Sequence, residues 1–358
     1  MEFKFDGATI PYEEGDTLAS ALWKADRKVI GRSMKYHRPR GVYCNTGSCA
    51  NCFVNVDGTP NVPSCMTAAS PSIVTSQNRI GSAKMDALSV VDKVYRKGFD
   101  PHGAFTKSNW INRRFLQAVR FMSGWGKAPK IGTPEWRGKR HELEVDELII
   151  GAGHHGLSRA NEAKGRVLLV EEMATVGGDA KWTTEPIPET RAEVWTKTLA
   201  FGIYGDTVAL RRGQDLFEVK AKRITVATGQ HDGMPLFAGN DAPGILSLRG
   251  AKRLVREQNG QLGKVAWHGP HGPFADALDV VVSGTVTEAK GAPVHAVRVD
   301  GTWHDVDTVI CNVPGMKRIE LLQQAGCQLT FQNGLTPAVD ASGKTSRDDV
   351  YALFTEDP

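Results

Sequence analysis

Residues 41–65 read GVYCNTGSCANCFVNVDGTPNVPSC, and four of the six cysteines of the chain fall in this run, at Cys44, Cys49, Cys52 and Cys65. Intervals of four and two residues let three sulfurs converge from one tight loop. Gly47 and the small residues Ser48 and Ala50 allow that loop to wrap closely and aim backbone N–H groups at sulfur. The fourth sulfur arrives from the far arm of the next hairpin, which turns at Asp57-Gly58. The C-x4-C-x2-C opening is the spacing of plant-type [2Fe–2S] ferredoxins. Structural zinc usually takes two C-x2-C pairs or Cys/His pairs, and the run has a single C-x2-C. A disulfide framework sits poorly with an N-terminus that lacks the basic and apolar regions of a secretory signal. The expectation is a [2Fe–2S] cluster on these four cysteines. Cys311 and Cys327, alone in apolar contexts, read as core residues.

Outward from that loop, residues 1–85 read as a ferredoxin-like β-grasp domain. Phe3, Phe5, Ile10 and Tyr12 bracket an Asp6-Gly7 turn. Asp16 or Thr17 caps a short helix over Leu18 to Ala25, and Ser72 to Thr75 forms a further strand. Residues 86–140 mix Gly, Pro, aromatic and basic residues and read as a structured connector, with a helical period only over Trp110–Met122. Residues 141–358 change to apolar strands, Gly-rich turns and short helices, the pattern of an α/β Rossmann-type domain.

The apolar run Val145–Ile150 leads directly into Gly151-Ala152-Gly153-His154-His155-Gly156, and the strand RVLLV that follows closes on Glu171. Set between two strands, the glycines permit a tight turn and close approach to a pyrophosphate, and the helix start favours its charge. Glu171 is placed to accept from ribose hydroxyls. Ala227-Thr228-Gly229 ends a later strand at the point where a flavoprotein chain passes its dinucleotide, and Gly178 completes the candidate set. His154-His155 stands where small residues are usual, and the helix before Glu171 is short.

Composition sets the frame. The chain has 358 residues, of which 41% are hydrophobic and 23% charged, as in globular proteins generally. A net charge of +4 without basic runs suits a protein partner or anionic cofactor and gives no sign of nucleic-acid binding. No stretch approaches the roughly 20 apolar residues that span a bilayer. A cytoplasmic location follows as the expectation, with peripheral association at the inner membrane face left open.

Several segments together resemble a family: Lys35-Tyr36-His37-Arg38-Pro39-Arg40-Gly41, Phe105-Thr106-Lys107, Gly124–Pro129, GAGHHGL at 151–157, FGIYG at 201–205 and ATGQHDGMPLFAGNDAPGI at 227–245. In that order they resemble the α subunit of heterotetrameric sarcosine oxidase and its relatives among proline and opine dehydrogenases and hydrogen cyanide synthase. The resemblance implies FAD in the glycine-rich site. It implies an electron-transfer role in a flavin-dependent amine or imino-acid dehydrogenase or oxidase. Substrate oxidation would lie in a flavin-bearing catalytic subunit of a hetero-oligomer, with room for an FMN at the interface, and no catalytic residue is expected here. The family's second nucleotide half should carry a Gly-rich loop after a strand near Lys264-Val265-Ala266. Here AWHGPHGPFADALDVVVSG runs on to the terminal strands Val294–Val299 and Val306–Ile310, so that half reads as reduced and NAD binding is placed in doubt. The C-terminal flavin-phosphate segment is replaced by Tyr351 to Asp357, and no aminomethyltransferase domain is seen. Two other functions remain in view: a stand-alone NAD(P)H-dependent ferredoxin-type reductase, and a non-redox scaffold with a vestigial flavin site.

Overall fold

Two Asp-Gly turns shape the first sheet. A computed structural model describes residues 1–94, 106–122, 137–183, 186–332 and 334–354. Phe105, the 124–129 stretch and the residues from Thr355 to Asp357 named above lie outside them. Asp6 and Gly7 take φ of 48° and 86° between β1 (Glu2–Phe5) and β2 (Ala8–Pro11). Asp57 and Gly58 take 47° and 84° between β3 (Phe53–Val56) and β4 (Thr59–Pro63). Such positive-φ pairs match the twist of a tight hairpin. With β5 (Ile73–Ser76) the order is β2-β1-β5-β3-β4; β1 and β5 run parallel and the other pairs antiparallel.

Helix α1 (Leu18–Lys24) starts at Thr17. The Thr17 hydroxyl accepts from the Ser20 N–H at 3.2 Å and the Ser20 hydroxyl accepts from the Thr17 N–H at 3.0 Å. This reciprocal cap satisfies donors that the first helical turn leaves open. Leu18, Leu22 and Trp23 pack onto Phe3, Phe5, Ile10, Val54 and Val74, giving the β-grasp arrangement. In the connector, α2 (Asn109–Met122) is one residue longer than its periodicity predicts.

The glycine-rich loop hangs on a second sheet. Here β6 (Arg140–Ile150) leads into α3 (His154–Glu162) and β7 (Val167–Val170), followed by β8 (Glu193–Trp195), β9 (Thr198–Tyr204), β10 (Thr207–Arg212) and β11 (Asp215–Val226). The order is β8-β7-β6-β11-β10-β9, with Val350–Ala352 beside the end of β11. Strands β8, β7, β6 and β11 are mutually parallel, and the buried centre of the sheet explains the apolar runs of β7 and of Leu148 to Ile150 at the end of β6.

Next come β12 (Ile245–Ser247), α4 (Leu248–Arg256), β13 (Val265–His268) and β14 (Val280–Gly284), then the meander β15 (Val286–Gly291), β16 (Val294–Val299) and β17 (Thr302–Asp305), and finally β18 (Thr308–Cys311). The parallel order is β12-β18-β13-β14. Strands β13 and β14 are joined through residues 269–279, which hold only a 3₁₀ turn at Ala275–Ala277. A parallel crossover normally carries an α-helix, so the second nucleotide half is reduced, as the sequence predicts.

The described residues pack as two units, 1–129 with 232–314, and 130–231 with 315–358. In the first, Leu246, Leu254, Trp267 and Ile310 share one core with Phe3, Leu22 and Val74. The Trp23 indole N–H also donates to the Gln261 carbonyl at 2.8 Å. In the second, Leu148, Ile150, Leu168, Val170, Ile224 and Val226 form the centre.

Strand β6 also buries an acid. Glu147, only 3% exposed, takes a two-pronged contact from Arg159 of α3 at 2.9 and 2.7 Å and a 2.6 Å bond from the Thr225 hydroxyl of β11. Arg223 lies 3.3 Å away. The carboxylate thereby ties helix to sheet directly behind the glycine-rich loop. Glu147→Ala would leave Arg159 and Arg223 without that partner. Breaking a buried pair from one side costs about 3–5 kcal/mol, and the partial exposure of the arginines favours the lower end. Urea unfolding followed by a probe in this unit should show a loss near 3 kcal/mol; an unchanged midpoint would mean that the network holds nothing together.

Candidate functional site

Strand register explains the long cysteine interval. Phe53 pairs with Pro63 across the β3–β4 hairpin, so Cys52, just before it, and Cys65, just after it, come back side by side. Ser64 secures the return: its N–H and hydroxyl both donate to the Cys52 carbonyl, at 3.1 and 2.7 Å. On the other side the Thr46 N–H donates to the Cys44 sulfur at 3.5 Å. Gly47 takes φ of 76°, and a Cβ there would lie 2.9 Å from Met66 Cγ, so the loop needs glycine at that point.

Cys44, Cys52 and Cys65 are buried and Cys49 is half-buried. The sulfurs interact directly. Cys44 shares hydrogen bonds with Cys49 and Cys65, and Cys52 with Cys65. Those bonds pull the Cys44 and Cys52 thiols below the ordinary range and push Cys49 and Cys65 above it. Among the described residues no three of His, Cys, Asp and Glu surround one point as a single ion would require. The sulfurs interact in an unbroken chain, Cys49 with Cys44, Cys44 with Cys65 and Cys65 with Cys52. Four soft sulfur donors gathered in one place fit a binuclear iron–sulfur group.

Helix α4 braces this loop, and sequence reasoning did not find it. A Cβ on Gly250 would stand 2.3 Å from the Tyr43 carbonyl, so the helix rests directly on the loop backbone. Asn45 donates to Gln258 at 2.8 Å, and buried Arg253 reaches the carbonyls of Asn45 and Cys65. The Tyr43 hydroxyl donates to the Gly233 carbonyl, and burial raises its pKa. Cys311, at the end of β18, is buried in the same apolar cluster as Tyr43 and Cys44. Burial pushes its thiol up as well.

In the second unit the structure gathers Gly151, Gly153, Gly156, Glu171, Gly178, Ala227, Thr228 and Gly229 around one loop. Gly151 has φ of 103°, and a Cβ would meet the Ala227 carbonyl at 2.3 Å and Thr228 Cα at 3.2 Å. Gly156 packs so closely under the turn that its Cβ would stand 1.8 Å from the Gly151 carbonyl. At Gly153, by contrast, a Cβ meets nothing within 4 Å, so open space faces the start of α3. Gly178 comes against Gly153, its Cβ position 3.0 Å from Gly153 Cα, and the Gly177 N–H donates to the Ala152 carbonyl at 2.7 Å. The Glu171 carboxylate accepts from the Ala152 and Met173 N–H groups, both at 2.8 Å, which fixes an acid beside the loop. The Thr228 hydroxyl donates to the Arg318 carbonyl at 3.2 Å. His154 and His155 stand edge to face 5.9 Å apart at the helix start, and burial with the neighbouring His154 lowers the His155 pKa.

Known proteins place these features. Residues 1–79 match the family of 2Fe-2S iron-sulfur cluster binding domains. The sarcosine oxidase subunit alpha of Rhizobium meliloti (strain 1021) is 30% identical over 303 residues, covering 73% of this chain and 30% of that protein. Its counterpart in Corynebacterium sp. (strain P-1) is 25% identical over 287 residues, covering 69% and 25%. The chain thus spans under a third of the length of these curated relatives. The crystal structure of L-proline dehydrogenase from P. horikoshii superposes with a TM-score of 0.72 at 20% identity, over 98% of this chain and 67% of that one, and shares its fold. The resemblance read from the sequence holds. Among the described residues no helix is long and apolar enough to cross a membrane.

Proposed function

We propose that this chain, a 2Fe-2S domain joined to an α/β nucleotide fold and related in sequence to sarcosine oxidase α subunits, is the electron-transfer subunit of a multi-subunit flavin-dependent amine or imino-acid dehydrogenase or oxidase. The observation that carries this reading is the convergence of four cysteines inside a domain matched by a 2Fe-2S family. Cys44 and Cys49 would hold one iron, Cys52 and Cys65 the other. When bound, such a cluster supplies one-electron carriage between a two-electron flavin and an acceptor.

The chain's own part is to hold and shield. The β3–β4 register fixes Cys52 beside Cys65, the Thr46 N–H donates to the Cys44 sulfur, and three of the four cysteines are closed off from water. In the second unit the space facing Gly153 at the α3 start suits an FAD pyrophosphate, and Glu171 suits the adenosine ribose. The second nucleotide half offers no comparable nest. The loop after β13 carries Pro270 and Pro273, which have no N–H to donate, and only a 3₁₀ turn lies between it and β14. That favours a relay over a stand-alone NAD(P)H-dependent reductase.

The flavin-bearing partner follows from the same reading. Amine oxidation requires a flavin facing groups that orient and deprotonate the substrate, and the described residues show no such constellation. The isolated chain is expected to show no amine-dependent dye reduction with sarcosine, proline or related substrates, and to gain it when co-purified with a flavin-bearing subunit. Turnover by the chain alone would overturn the relay role. A lone monomer after co-expression with all genomic neighbours would overturn the complex.

A further inference from the structure

We propose that Arg253 is the positioning counter-charge of the four-cysteine centre, setting how readily that centre accepts an electron; this rests on the cluster reading above. Arg253 projects from α4, some two hundred positions along the chain from the cysteines, yet it is 6% exposed and ends against the backbone of the cysteine segments. Its Nη1 donates to the Asn45 carbonyl at 2.5 Å and the Cys65 carbonyl at 3.2 Å, and lies 3.9 Å from Met66 Sδ. Its Nε, although buried, has no hydrogen-bond partner, and the Glu257 carboxylate stands 3.6 Å from it. A guanidinium is always charged, and burying one is costly unless opposite charge is near. The carbonyls that it meets are neutral.

The Glu257 carboxylate, 37% exposed, compensates that charge only in part, and the other acid near the loop is turned elsewhere. Asp232, whose side chain is 5% exposed, faces Thr46 at 3.4 Å and stands 3.7 Å from Arg249, one helical turn before Arg253. Four thiolates carrying two ferric ions and two sulfides leave a net negative group, and each added electron makes it more negative. A buried cation on the carbonyl of one ligand, Cys65, and on that of Asn45, the neighbour of Cys44, is placed to stabilise that charge, and charge interactions in a protein interior shift equilibria severalfold or more. Clamping of the Asn45 and Cys65 carbonyls by the same group fixes the two sides of the site together.

The test uses the full chain, purified anaerobically or reconstituted with iron and sulfide, with iron counted per chain and the midpoint potential read by EPR-monitored titration. Arg253→Gln should retain iron but reduce its equilibrium constant for one-electron reduction about tenfold, a downward shift of about 59 mV. Arg253→Lys, which keeps the charge, should recover most of that shift. Glu257→Gln, on the more exposed side of the guanidinium, should move the potential the other way. An iron-loaded Arg253→Gln protein at the wild-type potential overturns the proposal. If Arg253→Gln fails to fold or to load iron, the Glu257→Gln protein decides: an unchanged or lowered potential overturns it. Wild-type chain without iron would overturn the cluster reading itself, a separate outcome.

Discussion

Serine in place of Cys49 or Cys52 is expected to strip the protein of most of its iron. Wild-type chain should bind about two irons, as four thiolates of this spacing hold in two-iron ferredoxins. The two variants remove the two ends of the sulfur chain, Cys49 beside Cys44 and Cys52 beside Cys65. A serine hydroxyl is a harder and far less acidic ligand than the thiol that it replaces, so each change leaves one iron with a single cysteine of its pair. Cys311→Ser is the control. It alters a buried cysteine in the same apolar cluster as Cys44 but outside the spaced run, and iron content should stay at the wild-type level. Iron and acid-labile sulfide per chain are the measurement. Full iron in both the Cys49 and Cys52 variants would remove the assignment, and loss in the Cys311 variant alone would redirect it.

Gly153→Val and Gly156→Ala should fail in different ways, and the contrast is the second large effect. At Gly153 a Cβ meets nothing within 4 Å, so a valine leaves the apo fold intact while filling the space proposed for the FAD pyrophosphate. At Gly156 even a methyl group would sit 1.8 Å from the Gly151 carbonyl, and α3 must move off the sheet to admit it. Flavin released on denaturation should therefore be near zero for Gly153→Val, with circular dichroism unchanged and melting equal to that of flavin-free wild type, since bound ligand itself raises the melting temperature. For Gly156→Ala the flavin loss should come with melting below that of flavin-free wild type. A Gly153→Val protein that holds flavin as the wild type does would put the dinucleotide elsewhere. Extracted adenine nucleotide without flavin would show a pocket with another ligand.

Local chemistry was legible in the sequence where it has a short period. Asp6-Gly7 and Asp57-Gly58 turned where expected because few other pairs accept two successive positive φ values. The helix at Leu18 and the strand before Gly151 followed from periodicity, although β6 starts at Arg140 rather than near Val145, because its outer half alternates in burial before the buried run begins. The strand forecast over Val306–Ile310 is shifted to Thr308–Cys311, where the partner strands β12 and β13 set its register. Partnerships across long sequence separations left no local signal. Nothing around Leu246, Leu254 or Trp267 marks them as sharing a core with Phe3 and Leu22. Glu147 reads as one acid beside another in VDELII, and only the fold shows it buried between Arg159 and Thr225. Arg253, in a helix with basic residues on both sides, looks like one more solvated cation until its burial is known.

The most direct test of the relay is a single-turnover experiment on the complex purified with its flavin-bearing subunit. The complex is mixed anaerobically with a candidate amine or imino acid and freeze-quenched for EPR. The account predicts a rhombic signal from a reduced two-iron cluster, appearing at least as fast as steady-state turnover and absent from a complex carrying Cys49→Ser. Substrate-dependent turnover at full rate with a cluster that stays oxidised, or with the cluster missing, would contradict it.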